Sequence, residues 1–195
     1  MTGQSLPVSG VILAGGRGLR MGGKDKGLIP YGGMTLVESV IGMLAPQVSD
    51  LVINANRNID AYARFGYPVH ADVVDGYHGP LVGMLTGLSL ASHEYTVFAP
   101  CDAVALPEDL VARFRSAMQA SGSLACYAHD GARAHPVHAL LHRSCLGSLL
   151  DYLEAGERSV MPWMQQVGAR QVDFSDCRQD FRNINQPADL DCSTR

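Results

Sequence analysis

The residues best suited to chemistry lie near the amino terminus, in a loop rich in glycine and in cations. An apolar run, Val8–Leu13, predicts a buried strand directly before this loop. Glycine lets backbone N–H groups approach a ligand closely, and successive N–H groups around a concavity bind anions. Strand, glycines and cations in this order predict a site for a ligand with several phosphates, rather than an ordinary surface turn. The loop residues are Gly15, Gly16, Gly18, Gly22, Gly23 and Gly27, with Arg17, Arg20, Lys24 and Lys26 between them.

Two common phosphate-binding loops do not fit this stretch. A dinucleotide-binding fingerprint, G-x-G-x-x-G, fails when it starts at Gly16, because Met21 stands where the last glycine is needed. A Walker loop fits from Gly18 to Lys24, but the next residue is Asp25 instead of the hydroxyl residue that holds magnesium. The sequence therefore predicts a phosphate loop of another kind.

Composition limits the class of protein. A chain of 195 residues with 47% hydrophobic content is sufficient for one domain with a full core, so we expect a single domain over residues 1–195. A formal net charge of −4 argues against a broad nucleic-acid surface. Five cysteines without a C-x-x-C pair predict reduced thiols and a cytoplasmic protein. We expect no signal peptide and no membrane span, because no long apolar run is present.

Strand-like and helix-like patterns alternate along most of the chain. Thr35, with Glu38 three residues later, predicts a capped helix start. Alternation of this kind predicts an α/β fold whose mostly parallel sheet is covered by helices on both faces. The expected strands are Val8–Leu13, Leu51–Ile53, Val69–Ala71, Tyr95–Ala99, Leu124–His129, Val137–His142 and Gln171–Phe174, and the expected helices are Thr35–Leu44, Asn58–Phe65, Leu81–Ala91, Pro107 to Ala120, Ser144–Glu154 and Ser159–Val167.

Polar side chains follow the expected strands at one edge of this sheet. The glycine-rich loop follows the first strand, Asn54 the second, Asp72 the third and Asp102 the fourth. Each aspartate alone is typical of a turn or helix cap. Ligands of parallel sheets bind beyond the carboxyl ends of the strands, where all of these groups would meet.

A nucleoside triphosphate would use this edge in three ways. Its phosphates need cations and backbone donors, which the first loop provides. Its magnesium ion needs one or two carboxylates, with phosphate oxygens and water as further ligands, and Asp102 is the candidate. Our hypothesis for Asp72 is that its carboxylate accepts the two adjacent N–H donors of a guanine base.

The sequence offers no convincing covalent nucleophile. Cys101 stands next to Asp102, whose charge opposes a thiolate, and no G-x-S-x-G motif is present. His138 and His142 would lie about 13 Å apart on one strand, too far for one zinc ion, so we expect these two and His135 to face solvent or substrate. A site of this kind favours direct transfer between bound substrates by positioning and charge stabilisation.

The chain resembles the nucleotidyltransferases that begin L-A-[GA]-G-x-x-x-R-M-G, and is most similar to the molybdenum cofactor guanylyltransferase family. Gly15, where several cytidylyl relatives carry alanine, is typical of the guanylyl branch. Val137 departs from the hydroxyl residue expected after His135-Pro136, which concerns a pterin contact and not the reaction class. The similar segments are Leu13–Gly16, Arg20–Gly22, Asp25–Gly27, Val52–Arg57, Gly79–Met84, Pro100–Asp102, His129–Gly131, His135–Pro136, Tyr152–Arg158 and Asn183–Asn185.

The resemblance implies a three-layer Rossmann-like nucleotidyltransferase fold and a magnesium-dependent transfer of GMP from GTP to the terminal phosphate of molybdopterin, with release of pyrophosphate. It also implies contact with cofactor-synthesis proteins and apo-molybdoenzymes. One alternative is a cytidylyl- or sugar-phosphate nucleotidyltransferase on the same fold. A second alternative is a non-catalytic GTP-binding protein that delivers the cofactor.

The resemblance also implies roles for particular residues. Arg20 and Lys26 would offset charge in the transition state, and Asp102 would bind Mg²⁺. Asn183 and Asn185 would lie on the pterin side, with Arg158 as a further candidate there. The nucleotide site would consist of the backbone of Leu13, Ala14 and Gly15 with the side chains of Lys26, Asn54, Asp72 and Asp102.

Overall fold

A seven-stranded sheet forms the centre of the computed structural model, which describes residues 6–16, 22–74, 79–184 and 189. Arg20 and Asn185 lie outside the described residues. The strands are β1 (Val8–Leu13), β2 (Pro30–Tyr31), β3 (Met34–Thr35), β4 (Asp50–Asn54), β5 (Val69–His70), β6 (Tyr95–Pro100), β7 (Ala125–His129), β8 (Ala134–His142) and β9 (Arg170–Asp173). The helices are α1 (Leu36–Leu44), α2 (Ile59–Ala63), α3 (Pro80–Leu90), α4 (Leu110–Ser121), α5 (Cys145–Glu154) and α6 (Val160–Gln166).

The strand order of the large sheet is β5-β4-β1-β6-β8-β7-β9. Strand β8 runs antiparallel to its neighbours β6 and β7, and the other neighbouring pairs are parallel. This confirms the mostly parallel sheet. Parallel strands β4, β1 and β6 end at one edge, as the sequence pattern requires.

Successive side chains of a strand point to opposite faces, so the central strand β1 supplies two cores. Val8 and Ile12 belong to the core that contains α1 and α4, whereas Val11 and Leu13 belong to the core that contains α3, α5 and α6. Helices therefore cover both faces of the sheet, which confirms the three-layer α/β prediction. None of the helices in the described ranges has both the length and the apolar character needed to cross a bilayer.

The local predictions differ from the structure in several places; strand β8, for example, begins at Ala134 and not at Val137. Helix α4 begins at Leu110 and not at Pro107, whose carbonyl accepts a hydrogen bond from the Leu110 N–H in a preceding turn. The small hairpin of β2 and β3 was not expected, since each strand has only two residues. At the start of α1, in contrast, the predicted capping box is present: the Thr35 N–H donates to Glu38 Oε2 at 2.7 Å, and the Glu38 N–H to Thr35 Oγ1 at 3.4 Å.

Strand β8 has a bulge of three unpaired residues beside the end of β6. Tyr127 of β7 pairs with Ala139, and the next residue, Ala128, pairs with His135, so residues 136–138 have no partner on β7. Pairing of β8 with β6 also stops at Ala139. Bulges re-aim side chains next to active sites, and here the bulge separates β8 from the carboxyl end of β6.

His135 and His138 are buried, which corrects the solvent-facing alternative for these side chains; both line the cleft described below, so contact with substrate stays a prediction. His138 is only 1% exposed, and its ring packs edge-on against Phe181 with 5.2 Å between the ring centroids. Burial, followed by the neighbouring charge of His135, lowers the pKa of His138 to about 3. His138 is therefore a neutral side chain in the wall of the fold at ordinary pH.

We expect this buried histidine to make the fold sensitive to acid. The ordinary pKa of histidine, near 6.5, applies to the unfolded chain, so the unfolded state binds the extra proton as the pH falls below that value. The free energy of unfolding should then fall by up to about 1.4 kcal/mol per pH unit between pH 6.5 and pH 5. Urea denaturation of wild type and His138→Leu measures this slope, which the variant should flatten.

The matched control for this prediction is His142→Gln. His142 lies on the same strand, is half-buried, and shares a hydrogen bond of 2.8 Å with Ser144. This control should keep the wild-type slope. An unchanged slope in His138→Leu would contradict the assignment of acid sensitivity to His138.

Candidate active site

A cleft of about 860 Å³ lies where β1, β4 and β6 end. The final residues of these strands, Leu13, Asn54 and Pro100, all line it. Of the predicted site residues within the described ranges, all except Arg158 line this cleft. Those residues are Leu13, Ala14, Gly15, Lys26, Asn54, Asp72, Asp102 and Asn183.

The first loop leaves the sheet with its backbone fixed on both sides. The Ala14 N–H donates to the Asn54 carbonyl at 2.8 Å, and the Cys101 N–H donates to the Leu13 carbonyl at 3.1 Å. Gly15 then passes so close to Asn56 that a Cβ atom would lie 2.8 Å from its Nδ2. A residue without a side chain is therefore required at position 15 unless Asn56 moves.

Lys26 and Asp102 form an ion pair in the cleft. Lys26 Nζ lies 2.9 Å from Asp102 Oδ2, and both side chains are largely buried. Lys26 begins a short 3₁₀ helix whose Gly27 packs on Tyr62, where a Cβ atom would lie 2.5 Å from the hydroxyl. Asp102 is the second residue after β6, and its carbonyl accepts from the Ile184 N–H at 3.0 Å. Both charged groups therefore sit on well-packed backbone.

The Asp102 carboxylate of this ion pair fits a magnesium ion whose other ligands are substrate phosphates and water. Mg²⁺ is usually bound by one or two carboxylates, with substrate phosphates and water completing the shell. Asp102 provides one such carboxylate in the cleft. Asp25 is not suitable, because it does not line the cleft and both of its carboxylate oxygens accept hydrogen bonds, from Tyr62 and Asn58. Within the described ranges, no three His, Cys, Asp or Glu side chains are grouped to hold a metal by themselves.

Asp72 is held between two asparagine side chains. Asn54 Nδ2 donates to Asp72 Oδ1 at 2.9 Å, and Asn56 Nδ2 donates to Asp72 Oδ2 at 2.7 Å. Asn54 is only 2% exposed. The Asp72 carboxylate therefore has a defined orientation before any ligand is bound.

The amino-terminal end of α3 also faces the cleft. Gly79, with φ of +85°, precedes Pro80 at the first helical position, and both residues line the cleft. Helix N-termini carry partial positive charge and unpaired N–H groups, which favour anions. Gly83 lets this end approach β4, because a Cβ atom there would lie 2.5 Å from Asn54 Oδ1. Position 83 therefore helps to place both α3 and Asn54.

The far side of the cleft comes from the hairpin of β7 and β8. His135 Nε2 lies 2.8 Å from Asp130 Oδ2, and the N–H groups of Ala132 and Arg133 both donate to Asp130 Oδ1 at 2.8 Å. Burial alone would raise the pKa of Asp130, but these hydrogen bonds outweigh it and hold the pKa well below its usual range. Val137 and the predicted pterin-side residue Asn183 also line this part.

The structure gives Cys101 no role as a thiolate nucleophile. Its side chain is buried, and burial together with the charge of Asp102 raises the pKa of the thiol far above the physiological range. The expectation from sequence named the Asp102 charge alone, whereas burial is the larger cause.

Comparison with known proteins decides the family. The model of the MobA-like NTP transferase domain matches residues 10–169. The molybdenum cofactor guanylyltransferase of Yersinia pestis (strain Pestoides F) is 52% identical over 184 residues, covering 94% of this chain and 93% of that protein. This chain belongs to the molybdenum cofactor guanylyltransferase family. It is therefore a nucleotidyltransferase.

Solved structures agree with this fold. Molybdopterin-guanine dinucleotide biosynthesis protein A from Archaeoglobus fulgidus superimposes with a TM-score of 0.78 at 20% identity, covering 95% of this chain and 96% of that chain. The 4-diphosphocytidyl-2C-methyl-D-erythritol synthase from Anaerococcus prevotii gives a TM-score of 0.70 at 11% identity, covering 96% of each chain. The fold is thus shared with cytidylyl enzymes, and the sequence identity separates this guanylyltransferase from them.

One residue that sequence reasoning missed holds the glycine-rich loop of this guanylyltransferase. Arg57 donates to the carbonyls of Gly16 at 3.4 Å, Gly23 at 2.7 Å and Lys24 at 2.9 Å. Its Nε also lies 3.6 Å from an Asp25 carboxylate oxygen. Arg57 thereby ties together the two ends of the loop. It stands in the similar segment Val52–Arg57, but no local pattern indicates which distant backbone it reaches.

We expect Arg57→Ala to raise the KM for the nucleoside triphosphate about tenfold, because the loop that carries the backbone donors loses its anchor. The KM of Arg57→Lys should also stay high, since an ammonium group cannot reproduce the planar guanidinium that reaches three carbonyls. Steady-state kinetics measure both variants. The control is Arg64→Ala, an exposed arginine at the end of α2. Equal KM values for wild type and Arg57→Ala would refute the anchoring role.

Arg158 does not line the cleft in the described structure. Its guanidinium donates to the carbonyls of Leu153 at 2.7 Å and Glu157 at 2.6 Å, near the end of α5. Capping carbonyls at a helix C-terminus is a common role for arginine. The structure therefore places Arg158 at a helix end, outside the residues that line the cleft.

Proposed function

We propose that this chain, acting as one domain over residues 1–195, transfers GMP from GTP to the terminal phosphate of molybdopterin. The products are the guanine dinucleotide form of the cofactor and pyrophosphate. The observation that carries the proposal is that Lys26, Asn54, Asp72 and Asp102 line one cleft. The 52% identity to a protein named molybdenum cofactor guanylyltransferase supports the choice of both substrates.

In this proposal the nucleotide lies across the ends of β1, β4 and β6. The backbone of Leu13, Ala14 and Gly15 binds it, and the amino-terminal end of α3 favours its negative charge. The base reaches Asp72, whose carboxylate accepts the N1–H and N2–H donors of guanine. A carboxylate that accepts two N–H groups selects guanine over adenine and cytosine, which do not present adjacent donors of this kind.

The transfer itself exchanges one phosphorus–oxygen bond for another. An oxygen of the molybdopterin phosphate attacks the α-phosphorus of GTP, and the bond from that phosphorus to the bridging oxygen breaks. The bonding electrons leave with pyrophosphate. Lys26, and Arg20 outside the described residues, offset the negative charge of the transition state. Asp102 would hold Mg²⁺, which would neutralise phosphate charge.

The acceptor approaches from the side of the cleft formed by β8 and the carboxyl-terminal segment. Asn183 lines this side and pairs through its backbone with Ala103, next to Asp102. We assign Asn183 to the pterin side, together with Asn185, which lies outside the described residues. Both substrates are then held next to the carboxylate that binds the metal.

The test compares GTP, CTP and ATP as substrates in the presence of molybdopterin and Mg²⁺. Release of pyrophosphate measures the rate with each nucleotide. We expect turnover with GTP and at least about a hundredfold lower kcat/KM with the other two nucleotides. A preference for CTP would favour a cytidylyltransferase. Tight GTP binding without pyrophosphate release would favour a non-catalytic delivery protein.

A further inference from the structure

Both polar atoms of the Asn56 side chain contact residues that line the cleft, Asp72 and Gly15. Its Oδ1 accepts from the Asp72 N–H at 2.8 Å. Its Nδ2 donates to Asp72 Oδ2 at 2.7 Å and to the Gly15 carbonyl at 3.3 Å. Because a backbone N–H requires an acceptor and a backbone carbonyl requires a donor, the amide cannot be turned around. Asp72 Oδ2 therefore always faces an N–H group.

Asn54 imposes the same condition on the other carboxylate oxygen. Its Nδ2 donates to the His70 carbonyl at 3.3 Å and to Asp72 Oδ1 at 2.9 Å. If this amide were turned around, its oxygen would face the His70 carbonyl oxygen, which already accepts from the Ala55 N–H at 2.9 Å, so its orientation is also fixed. Both oxygens of Asp72 thus face N–H donors whose direction is set by the backbone.

The two fixed donors, Nδ2 of Asn54 and Nδ2 of Asn56, determine which type of side chain position 72 can hold. Only a side chain with an acceptor at both ends satisfies them, which is a carboxylate. An amide would place a donor against a donor on one side. Each oxygen of Asp72 can still accept a second hydrogen bond, and Asp72 lines the cleft.

We propose that Asn56 is a positioning residue that sets the base selectivity of the cleft, by locking Asp72 as a double acceptor. The locked carboxylate favours a base with two adjacent N–H donors, guanine, over hypoxanthine, which has one and lacks the 2-amino group. This inference rests on the proposed function, since it requires GTP to be the nucleotide in the cleft.

Gly15 belongs to the same arrangement. A Cβ atom at this position would lie 2.8 Å from Asn56 Nδ2 and 3.5 Å from Asn54 Oδ1. Gly15→Ala therefore pushes Asn56 away from Asp72 without changing either side chain. The variant weakens the contact between Asn56 and Asp72 by a change in the glycine-rich loop. It is therefore an independent way to test the role of Asn56.

The experiment measures kcat/KM for GTP and for inosine triphosphate by pyrophosphate release, with molybdopterin saturating. We expect the wild type to favour GTP by about ten- to hundredfold, the discrimination that a paired hydrogen-bond contact provides. In Asn56→Ala the ratio should fall at least about fivefold, through a higher KM for GTP with little change in kcat. Gly15→Ala should lower the ratio in the same way.

The matched control is Thr86→Val. Thr86 Oγ1 accepts from the Val73 N–H at 3.0 Å, so it steadies the segment after Asp72 without touching the carboxylate. This variant should unfold at a lower temperature but keep the wild-type ratio of kcat/KM for GTP to kcat/KM for inosine triphosphate. A loss of selectivity in Thr86→Val as large as in Asn56→Ala would show general loosening and overturn the inference.

Failure of the inference and failure of the proposed function give different results. If the wild type prefers CTP, the proposed function is wrong and the inference falls with it. If the wild type uses GTP but accepts inosine triphosphate equally well, or if folded Asn56→Ala keeps the wild-type ratio, the inference is wrong and the proposed function stands. If Asn56→Ala does not fold, the ratio in Gly15→Ala decides.

Discussion

Replacing Asp102 by alanine should lower kcat for pyrophosphate release by about a thousandfold or more, the largest effect that we expect of any single change. Removing one preorganised group that stabilises transition-state charge costs a hundred- to thousandfold, and loss of a metal site adds to this. In the described part of the cleft, the aspartates are Asp72 and Asp102, and Asp72 is already held by two asparagines. No other described cleft aspartate can replace Asp102.

A second measurement separates loss of the metal from loss of the fold. Binding of Mn²⁺ in the presence of GTP, followed by electron paramagnetic resonance, should weaken in Asp102→Ala and in the isosteric Asp102→Asn. Thermal unfolding should remain cooperative in Asp102→Asn, which keeps the shape of the side chain beside Lys26. Normal turnover in Asp102→Ala would refute the magnesium role.

Alternation of strand and helix patterns was sufficient to place the polar residues of the site. Asn54, Asp72 and Asp102 each follow a short apolar run, and parallel strands must end at the same edge. Their meeting in one cleft was therefore predictable without any knowledge of long-range contacts. The roles assigned to these residues remain predictions that the experiments above test.

The features that the sequence did not reveal depend on contacts between distant parts of the chain. Arg57 reaches the carbonyl of Gly16, 41 positions earlier, and such a side chain leaves no periodic pattern. The bulge at residues 136–138 of β8 is visible only in the pairing of β8 with β7, whereas strand alternation alone predicts an uninterrupted strand. Hydrophobic periodicity reports which face is buried, but it does not report which backbone groups a polar side chain meets.

Asp72→Asn should lower kcat/KM for GTP about a hundredfold and that for inosine triphosphate only about tenfold, because guanine loses two accepted hydrogen bonds and hypoxanthine loses one. An asparagine at this position presents one N–H₂ group. On either side of the residue that group would face a fixed donor, Nδ2 of Asn54 or Nδ2 of Asn56. The side chain must rotate away, and the base then loses its paired contact.

Competition assays with GTP, ATP and inosine triphosphate, together with kinetics for each nucleotide alone, measure this change. Asp72→Glu is the useful companion variant: it keeps both acceptors but moves them by one methylene, so it should lower kcat/KM for GTP while retaining a preference for GTP over inosine triphosphate. The ion pair of Lys26 with Asp102 lies apart from these contacts, so kcat should change less than KM in both variants. Unchanged selectivity in Asp72→Asn would remove Asp72 from base recognition and would leave the cleft to select guanine through backbone groups alone.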